Sequence, residues 1–451
     1  MNEKAHETIQ RTGDFPTDTS GLPRAVAPRV VELADGGTTE LHIGPVVKRV
    51  GDADVRMLAY SGSIPGPTLR IPEGATVTVH VKNEGDLDAT VHWHGLRLEN
   101  RYDGTHDTQA PIPVGESFTY EVHVPDPGAY WYHPHIREDY GQEMGLYGNI
   151  HVVPADPDYW PPVHRELFLT LDDVLIEDGK IAGFSASETT YVAMGRFGNV
   201  MLVSGEPDLA LTARRGEVVR FYFTNTANTR VFNVTLPGAR MKLVGGDSGH
   251  YEHETFVEEA LLSPSERYVV DVLFEHPGEY LMEHRTPARS YRLASITVSD
   301  EPAEPPLGER FAVLRTNADL TAERARTAHL LDAAPDKTLA FVAEMDFDVP
   351  ERAVYMCPMH PDVFGNEPGR CPQCGMKLLP VEAPTSYACP MHPYVTSESP
   401  ARCPECGMKL VPAHLVDTSE HDGHEMPASH GEHLDRGSRQ SGSASSHPQG
   451  K

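Results

Sequence analysis

Two pairs of histidines are the first residues in this sequence whose spacing could support chemistry. His92 and His94 lie in the segment VHWHGL, and His133 and His135 lie in the segment WYHPH. Side chains alternate between the two faces of a β-strand, so the two imidazoles of each pair point to the same side. Four imidazole nitrogens on neighbouring strands are ligands that suit copper. The alternative is that these histidines lie on solvated strand faces by chance.

A second set of candidate ligands occurs twice, with a period of 32 residues. Cys-x2-His followed by Cys-x2-Cys is the spacing of a zinc-ribbon-like tetrahedral site. Such a short unit cannot fold unaided, and bound metal would stabilise it. Disulfide pairing is the alternative, but the repeated histidine would be useless to a disulfide. The predicted ligands are Cys357, His360, Cys371 and Cys374 in the first repeat, and Cys389, His392, Cys403 and Cys406 in the second.

Four methionines accompany these ligands, and they leave the identity of the metal open. Thioether sulfurs suit Cu(I), but methionines equally suit packing in a very small core. Zinc and copper are therefore both candidates for the two repeats. The methionines are Met359, Met376, Met391 and Met408.

All six cysteines lie between Cys357 and Cys406, so the first 356 residues contain no thiol. A copper site that needs a thiolate ligand cannot be built from those residues. Any copper site there must depend on histidine, and it cannot be a blue-copper site.

Composition and charge limit the partners of the chain. With 451 residues, 39% of them hydrophobic and 23% charged, the chain has the composition of a globular protein of two or three domains. A formal charge of −28 argues against nucleic acid as a partner. No apolar run approaches the roughly 18 residues of a membrane span, and the first residues show no export signal. The sequence therefore predicts metal ions as partners and a cytoplasmic location, or a periplasmic or extracellular one if the true start lies upstream.

Residues 40–300 have the pattern of an all-β protein. Short β-branched and aromatic runs alternate with Pro, Gly and Asp turns. The runs form two series, which predict one β-sandwich over residues 40–155 and another over residues 160–300. The predicted strands are ATVTVHV, ATVHWHG, SFTYEVHV, GAYWYHPH and GNIHVV in the first sandwich, and LFLTL, EVVRFYFTN, RYVVDVLF, GEYLMEH and ASITV in the second.

The two predicted sandwiches resemble each other in sequence. IPEGATVTVHVKN aligns with ARRGEVVRFYFTN at an offset of 142, and GESFTYEVHVPDPGAYWYHPH aligns with SERYVVDVLFEHPGEYLMEHR at an offset of 150. An internal duplication explains both matches. The alignment predicts that the second sandwich binds no copper, and His250 and His253 are interpreted as surface residues. At these offsets His92, His94, His133 and His135 correspond to Val234, Leu236, Glu283 and Arg285.

The remaining segments are predicted from their composition. Residues 1–39 form an N-terminal extension, and residues 301–350 contain a linker, a short helix at TAERARTAHLLDAA and a strand without a partner at KTLAFVAEMDF. The two metal repeats occupy residues 355–380 and 387–412. The His-rich residues 413–451 are predicted to be disordered, either collecting metal weakly or keeping the chain soluble.

At this point the sequence resembles the multicopper oxidase (laccase-like) family. HWHG resembles the first copper motif of that family, WYHPH resembles the second, and SIPGPTLRIPEG resembles the segment that leads the first cupredoxin domain. The resemblance covers about residues 40–345 and implies two tandem cupredoxin-like Greek-key β-sandwiches. It also implies half of a trinuclear copper cluster that reduces dioxygen to water. In that cluster His92 would bind the type 2 copper, His94 and His133 one type 3 copper, and His135 the other.

The sequence also departs from the family pattern. Family members supply the other four cluster ligands from a His-Pro-x-His-x-His motif and a His-Cys-His motif in a last cupredoxin domain, whose cysteine anchors a type 1 copper. Neither motif occurs in the printed sequence. The type 1 site and half of the cluster are therefore missing from the expected ligand set. A second chain could supply these ligands, or the third cupredoxin domain has been lost and the unpaired strand marks where it began.

The two cysteine repeats resemble the heavy-metal-binding domain appended to bacterial copper-efflux ATPases and adaptor proteins. The resemblance rests on CPMHP and on CPxCGMKL, which occur in both repeats. It implies binding of a heavy metal and leaves both zinc and copper open.

Three functions are compatible with these residues. The first is an oxidoreductase of copper homeostasis that couples oxidation of a substrate or Cu(I) to reduction of dioxygen once its cluster is completed. The second is a protein that sequesters copper or other heavy metals without turnover, and the third is an inactive truncated oxidase. Oxygen uptake by the copper-loaded chain separates the first from the other two.

Overall fold

Alternating burial along the strands determines the fold of the first 300 residues. In the segment TVTVHVKN the valines Val77, Val79 and Val81 are fully buried, whereas His80 between them is exposed. Such a strand has one face on a core and one face toward solvent. The computed structural model describes residues 15–184, 195–339, 353–357, 360, 363–382, 386–389, 391–399 and 401–413, and it divides the chain into two units at Glu344 and Met345.

The first sandwich packs two sheets around a core that contains Trp93, Trp131 and Tyr132. One sheet has the strand order β1-β4-β9-β8-β6 and the other the order β3-β2-β5-β7. A short helix, α1 (Glu138–Glu143), and a turn of 3-10 helix at Asn100–Tyr102 lie between strands. The strands are β1 (Val30–Glu32), β2 (Thr38–Val50), β3 (Ala53–Tyr60), β4 (Thr68–Pro72), β5 (Thr76–Asn83), β6 (His92–His94), β7 (Ser117–His123), β8 (Gly128–His133) and β9 (Gly148–Val153).

The second sandwich has sheets in the orders β13-β10-β15-β20-β17-β18 and β14-β22-β21-β16-β19, with a small β11-β12 ribbon beside them. Its core contains Phe221, Phe223 and Phe232. The strands are β10 (Arg165–Val174), β11 (Ile176–Glu177), β12 (Lys180–Ile181), β13 (Val200–Val203), β14 (Leu209–Arg215), β15 (Glu217–Asn225), β16 (Phe232–Thr235), β17 (Arg240–Gly246), β18 (Gly249–Val257), β19 (Ala260–Leu262), β20 (Arg267–Phe274), β21 (Gly278–Arg285) and β22 (Ser290–Pro302).

The internal duplication extends to individual hydrogen bonds. The amide of Asn83 donates to the carbonyls of Leu87 and Ile112, and the amide of Asn225 donates to the carbonyls of Arg230 and Leu262. The Tyr130 hydroxyl donates to the Asp126 carbonyl, and the Tyr280 hydroxyl donates to the His276 carbonyl, each four residues upstream. The two sandwiches therefore share side-chain roles at the offsets of 142 and 150 found in the sequence.

The two sandwiches of the first unit are joined by polar contacts. Thr224 donates a hydrogen bond to the side chain of Asn149 at 2.8 Å, and the guanidinium of Arg267 donates to the Ala129 carbonyl at 3.1 Å. At the end of α1, Glu143 lies 3.1 Å from Arg196, and both side chains are almost completely buried. Burial raises the pKa of Glu143 to about 7, although the Arg196 charge lowers it. An ionisable carboxyl group is thus part of the contact between the sandwiches.

Residues 303–317 differ from the expected linker because they carry side chains that need burial. Leu307 and Phe311, the latter in helix α2 (Gly308–Phe311), pack against Val218 and Leu273 of the second sandwich. Arg315 donates to Glu254 at 2.7 Å. The predicted short helix is present as α3 (Ala318–Thr327), followed by a turn of 3-10 helix at Ala328–Leu330. The segment is therefore attached to the second sandwich through both apolar and ionic contacts.

Each cysteine repeat forms a small three-stranded sheet. The first has the order β24-β23-β25 and the second the order β27-β26-β28. Phe364 of the first repeat stacks on Tyr387 of the second, with ring centroids 5.8 Å apart, and packs against the core of the second repeat. The strands are β23 (Ala353–Met356), β24 (Phe364–Gly365), β25 (Leu379–Glu382), β26 (Tyr387–Ala388), β27 (Thr396–Ser397) and β28 (Val411–Pro412).

The predicted fold class is confirmed, and each strand named from the sequence is present in its sandwich. The unpaired strand expected at 337–347 falls outside the described residues from 340 onward, and the disordered tail falls outside them from 414 onward. Among the described residues, no helix has the length and apolar character needed to cross a membrane. The cytoplasmic location stays a prediction.

The raised pKa of Glu143 predicts a pH dependence of stability. The folded state holds this proton more tightly than the unfolded state, so its contribution is complete below about pH 4.5 and is lost as pH rises through about 7. Over that range the free energy of unfolding should fall by up to about 3 kcal/mol. Urea unfolding at about pH 5 and about pH 8 should show a smaller fall for Glu143→Gln.

The matched control is Glu121→Gln, which changes an exposed carboxylate on β7. It should keep the pH dependence of the parent chain. An equal flattening in both variants would show that the buried carboxyl is not responsible.

Candidate metal centres

The pairing of β6 with β8 places the four histidines. His92 lies opposite His133 and His94 lies opposite Trp131, so these residues share one face. The intervening Trp93 and Tyr132 point to the other face and are fully buried. The Tyr132 hydroxyl donates to the Pro67 carbonyl at 2.8 Å. The hydrophobic core therefore fixes both strands through the residues that alternate with the histidines.

Carbonyl groups of the first sandwich orient two of the imidazole rings. His92 Nδ1 donates to the Asp103 carbonyl at 2.6 Å, and His133 Nδ1 donates to the Pro134 carbonyl at 2.9 Å. A proton on Nδ1 leaves the Nε2 lone pair of each ring free to bind a metal. Such bonds also hold the ring orientation and raise the basicity of the ligand.

His94 and His133 approach each other closely enough to share one metal ion. His94 Nδ1 and His133 Nε2 are 3.3 Å apart. Two nitrogens at about 2.0 Å from a tetrahedral metal would be about 3.3 Å apart. Because the proton of His133 is on Nδ1, its Nε2 can only accept a hydrogen bond from His94 Nδ1. A metal ion would take the place of the proton on His94 Nδ1. His92, His94 and His133 each offer one nitrogen, and these three nitrogens all lie within 4.8 Å of one another.

His135 belongs to the same group of rings but occupies a different position. Its ring centroid lies 5.2 Å from that of His92 and 5.9 Å from that of His133. The strand has ended at His133, and the backbone N–H of His135 donates to the Thr90 hydroxyl. Its Nδ1 lies 3.0 Å from a carboxylate oxygen of Glu138 in α1. This arrangement leaves Nε2 available to a metal other than the one between His94 and His133.

Burial keeps the imidazoles of His94 and His133 uncharged at neutral pH. It lowers the pKa of His94 to about 3, with a further contribution from the charge of Arg267. It also lowers the pKa of His133 well below its ordinary value, and the neighbouring histidines act in the same direction. A neutral imidazole has a lone pair for a metal, whereas an imidazolium has none. The indole of Trp131 stacks on His133 at a centroid distance of 4.1 Å and closes one side of the group.

The structure corrects the alignment of the second sandwich by one residue. Thr235 lies opposite Glu283, as His92 lies opposite His133. The loop after Asn225 is one residue longer than the loop after Asn83. The side-chain amide of Asn225 bonds to a carbonyl five residues ahead, whereas that of Asn83 bonds to one four residues ahead. His92 and His94 therefore correspond to Thr235 and Pro237, not to Val234 and Leu236. His133 and His135 still correspond to Glu283 and Arg285, and none of these four residues is a histidine.

The two other histidines considered from the sequence behave differently from each other. His253 is exposed, as predicted. His250 is not a surface residue, because its ring stacks on Tyr159 at 4.0 Å and its side chain is only 9% exposed. His250 Nε2 lies 2.9 Å from Asp319 at the start of α3. The sequence could not show this contact, since Tyr159 and Asp319 are distant along the chain.

Each cysteine repeat brings four ligand atoms together in the geometry of a tetrahedral site. In the first repeat Cys357 Sγ lies 3.7 Å from His360 Nδ1 and 3.6 Å from Cys374 Sγ. A tetrahedral metal with bonds of about 2.3 Å to sulfur and about 2.0 Å to nitrogen separates sulfur from nitrogen by about 3.5 Å and sulfur from sulfur by about 3.8 Å, within about 0.3 Å of these distances. In the second repeat the corresponding distances from Cys389 are 3.8 and 3.5 Å.

One thiol in each site is open to solvent. Cys374 and Cys406 are exposed, whereas the other cysteines of both repeats are buried, and all six are free thiols. An exposed ligand gives an incoming or outgoing metal a point of exchange. Met391 and Met408 are 63% and 43% exposed, so they do not pack in a core. Met359 lies outside the described residues.

Comparisons with known proteins agree with this division of the chain. Two family models described as multicopper oxidase match residues 46–157 and 168–301, which together make up more than half of the chain. The chain belongs to the multicopper oxidase family. A model described as heavy metal binding domain matches residues 354–381 and 386–413, which contain the two cysteine repeats.

Individual multicopper oxidases are similar to this chain over its first part. A multicopper oxidase, MmcO, of Mycobacterium tuberculosis is 31% identical over 290 residues, which are 57% of this chain and 56% of that protein. Copper resistance protein A of Pseudomonas syringae pv. tomato is 27% identical over 293 residues, 55% of this chain and 47% of that protein. The chain spans about half the length of these relatives.

Solved structures show the same relationship. The crystal structure of a multi-copper oxidase from Pseudomonas thermotolerans superposes with a TM-score of 0.55 and 30% identity, covering 60% of this chain and 66% of that one. Lac15 from a marine microbial metagenome gives a TM-score of 0.51 and 29% identity over 59% of this chain and 68% of its own.

Copper, which the multicopper oxidase family implies, fits the histidine group. The donors are imidazoles, two of them at the separation expected for a shared metal ion, and the predicted ligands His92, His94, His133 and His135 all lie in the group. The cysteine sites fit either a divalent or a monovalent soft metal, because three sulfurs and one imidazole suit zinc and Cu(I) alike.

Asp103 and Glu138 are contacts that the sequence reasoning missed. Glu138 follows His135 by three residues and is the first residue of helix α1. This spacing could have suggested a contact. Asp103 gave no comparable signal. The adjoining Gly104 has φ +80°, and a Cβ there would overlap the carbonyl of Val91. The absence of a side chain at Gly104 therefore lets the loop approach β6 and hold His92.

Gly104→Ala should displace this loop and release His92 Nδ1 from its carbonyl acceptor. Loss of such an orienting contact typically lowers metal affinity about 10–100-fold. We expect a loss of that size for the copper held by His92, measured by competition with a copper chelator. Gly115→Ala is the control, since Gly115 has φ +93° but a Cβ there meets nothing within 4 Å. Equal losses in both variants would contradict the role given to the loop.

Removal of metal should unfold each cysteine repeat separately. Cys371→Ser is expected to abolish the dispersed amide signals of the first repeat only, and Cys403→Ser those of the second only, as seen by NMR of the zinc-loaded chain. The reason is that metal binding supplies the folding free energy of such small units. The signals of the sandwiches serve as the internal control. Repeats that remain folded after chelation would contradict this dependence.

Proposed function

We propose that this chain is a copper-binding oxidoreductase subunit that oxidises Cu(I) or another reducing substrate with dioxygen when its cluster is complete. The observation that carries the proposal is the facing arrangement of His92, His94 and His133 on β6 and β8, with His135 beside them. Four imidazoles gathered at one place in a sandwich are a ligand set that suits copper. Copper bound there would supply one-electron chemistry toward dioxygen.

The residues around the histidines prepare the site before any metal arrives. The carbonyls of Asp103 and Pro134 hold protons on the Nδ1 atoms of His92 and His133. The buried indoles of Trp93 and Trp131 exclude water from the two strands. The rings therefore lose little conformational freedom on binding, and this pre-organisation favours affinity.

The remaining ligands of the cluster would come from outside the printed residues. Family members need a second set of histidines and a type 1 copper to pass electrons from the substrate. We propose that a second polypeptide, or sequence beyond the printed residues, contributes them. In that assembly the group around His92 would form one half of the cluster.

The cysteine repeats would collect metal and exchange it. Their ligand atoms are already at tetrahedral separations, and Cys374 and Cys406 are exposed. A role in copper homeostasis is supported by the similarity to copper resistance protein A. Sequestration of metal without turnover is the second candidate function, because these repeats could perform it without an oxidase site.

The test is a copper titration of the chain in which Cys371→Ser and Cys403→Ser have disabled the repeats. This background should retain copper at the sandwich. His94→Ala and His133→Ala should each remove the same ion, so the double variant should lose no more copper than either single variant. His135→Ala should leave that ion in place. The control is His80→Ala, because His80 is exposed on β5 and contacts Thr119.

Retention of the ion in both His94→Ala and His133→Ala would contradict the proposal, and so would an equal loss in His80→Ala.

Oxygen consumption then separates the two functions. With the complementary ligands present, the copper-loaded chain should consume dioxygen when supplied with Cu(I). Copper binding without oxygen consumption under these conditions favours sequestration.

A further inference from the structure

The two cysteine repeats differ beside their histidine ligands. In both repeats the imidazole turns Nδ1 toward the cysteine sulfurs. In the second repeat a carboxylate oxygen of Glu405 lies 3.5 Å from His392 Nε2, the nitrogen that points away from the site. A carboxylate at this position increases the negative charge around the metal.

Glu405 is held in place by a neighbouring tyrosine. The Tyr394 hydroxyl donates a hydrogen bond to the Glu405 carboxylate at 2.5 Å. The Tyr394 ring also lies against the His392 ring, with centroids 5.8 Å apart. The second repeat therefore has a histidine, a carboxylate and a tyrosine in mutual contact on the outer side of its metal site.

The first repeat has different residues at the positions of the carboxylate and the tyrosine. At the period of 32 residues, Gln373 corresponds to Glu405 and Asp362 corresponds to Tyr394. The neutral amide of Gln373 cannot supply the charge that Glu405 provides. Asp362 lies outside the described residues. The two repeats have identical ligand sets. Gln373 and Glu405 are not ligands, so this difference between the repeats can affect the metal only through the neighbouring histidine ligand.

We propose that Glu405 is a positioning residue that makes the second repeat selective for a divalent soft metal such as Zn²⁺, and leaves the first repeat relatively selective for Cu(I). The proposal rests on the metal sites of the proposed function. The negative charge of Glu405 attracts a dication twice as strongly as a monocation at the same distance.

The size of the effect follows from the exposure of the pair. Removal of such a partner typically costs about 10–100-fold in metal affinity. The side chains of Glu405 and His392 are 45% and 28% exposed, so solvent screens their interaction. We therefore expect a change of about tenfold in Zn²⁺ affinity and a smaller change in Cu(I) affinity.

The experiment compares the two repeats in the full chain by disabling one at a time. Cys371→Ser leaves the second repeat, and Cys403→Ser leaves the first. Competition with chromophoric chelators gives the affinity of each for Zn²⁺ and, separately, for Cu(I). The sandwich histidines are replaced in every sample by His94→Ala and His133→Ala, so that metal bound there does not contribute.

The second repeat of the parent should bind Zn²⁺ about tenfold more tightly than the first, relative to their Cu(I) affinities. Glu405→Gln should remove this difference, and Gln373→Glu should raise the relative Zn²⁺ affinity of the first repeat by less than tenfold, because Asp362 stands where the second repeat has Tyr394. Tyr394→Phe should have an intermediate effect, because Glu405 stays but loses its hydrogen-bond donor. Glu398→Gln is the control, since it removes an equal charge from an exposed residue of the same repeat.

Equal ratios of Zn²⁺ to Cu(I) affinity in the two repeats would overturn this inference. The inference would also be overturned if Glu405→Gln changed the ratio of Zn²⁺ to Cu(I) affinity no more than Glu398→Gln does. Both results leave the metal sites themselves intact. If neither repeat binds either metal, the metal sites of the proposed function are wrong, and the selectivity of Glu405 falls with them.

Discussion

The register between β6 and β8 is the constraint on which the copper group depends. It places His92 opposite His133, and the alternation of side chains then brings His94 and Trp131 to the same face. A slip of one residue would send Trp93 and Tyr132 to that face and the histidines into the core. Burial of the two aromatic side chains opposes such a slip, so the hydrophobic core and the ligand geometry are determined by the same pairing.

The duplicated sandwich shows what this scaffold does without the ligands. The asparagines Asn83 and Asn225 bind equivalent carbonyl groups, and Thr235 faces Glu283 in the register of His92 and His133. The framework is therefore independent of metal binding, and the histidines are an addition to it. The cysteine repeats are expected to be the opposite case, because so small a sheet would depend on its ligands for stability.

Sequence alone was sufficient for the strands and for naming the histidines and cysteines that the structure groups together, because alternation and short spacing are local properties. It was insufficient wherever a loop or a distant contact decided the outcome. One extra residue after Asn225 shifted the alignment of β16, and the stacking of His250 on Tyr159 required two segments far apart in the chain. Packing of Phe311 against the second sandwich was equally invisible. The contact between Asp103 and His92, and that between Glu405 and His392, emerged only from the folded geometry.

Copper is expected to bind between β6 and β8 of the first sandwich. A crystal structure of the copper-loaded chain, with diffraction data collected on both sides of the copper absorption edge, would locate the ion. We expect an anomalous peak within bonding distance of His94 Nδ1 and His133 Nε2, about 2 Å from each. A map with copper in the cysteine repeats and none at these two nitrogens would contradict it.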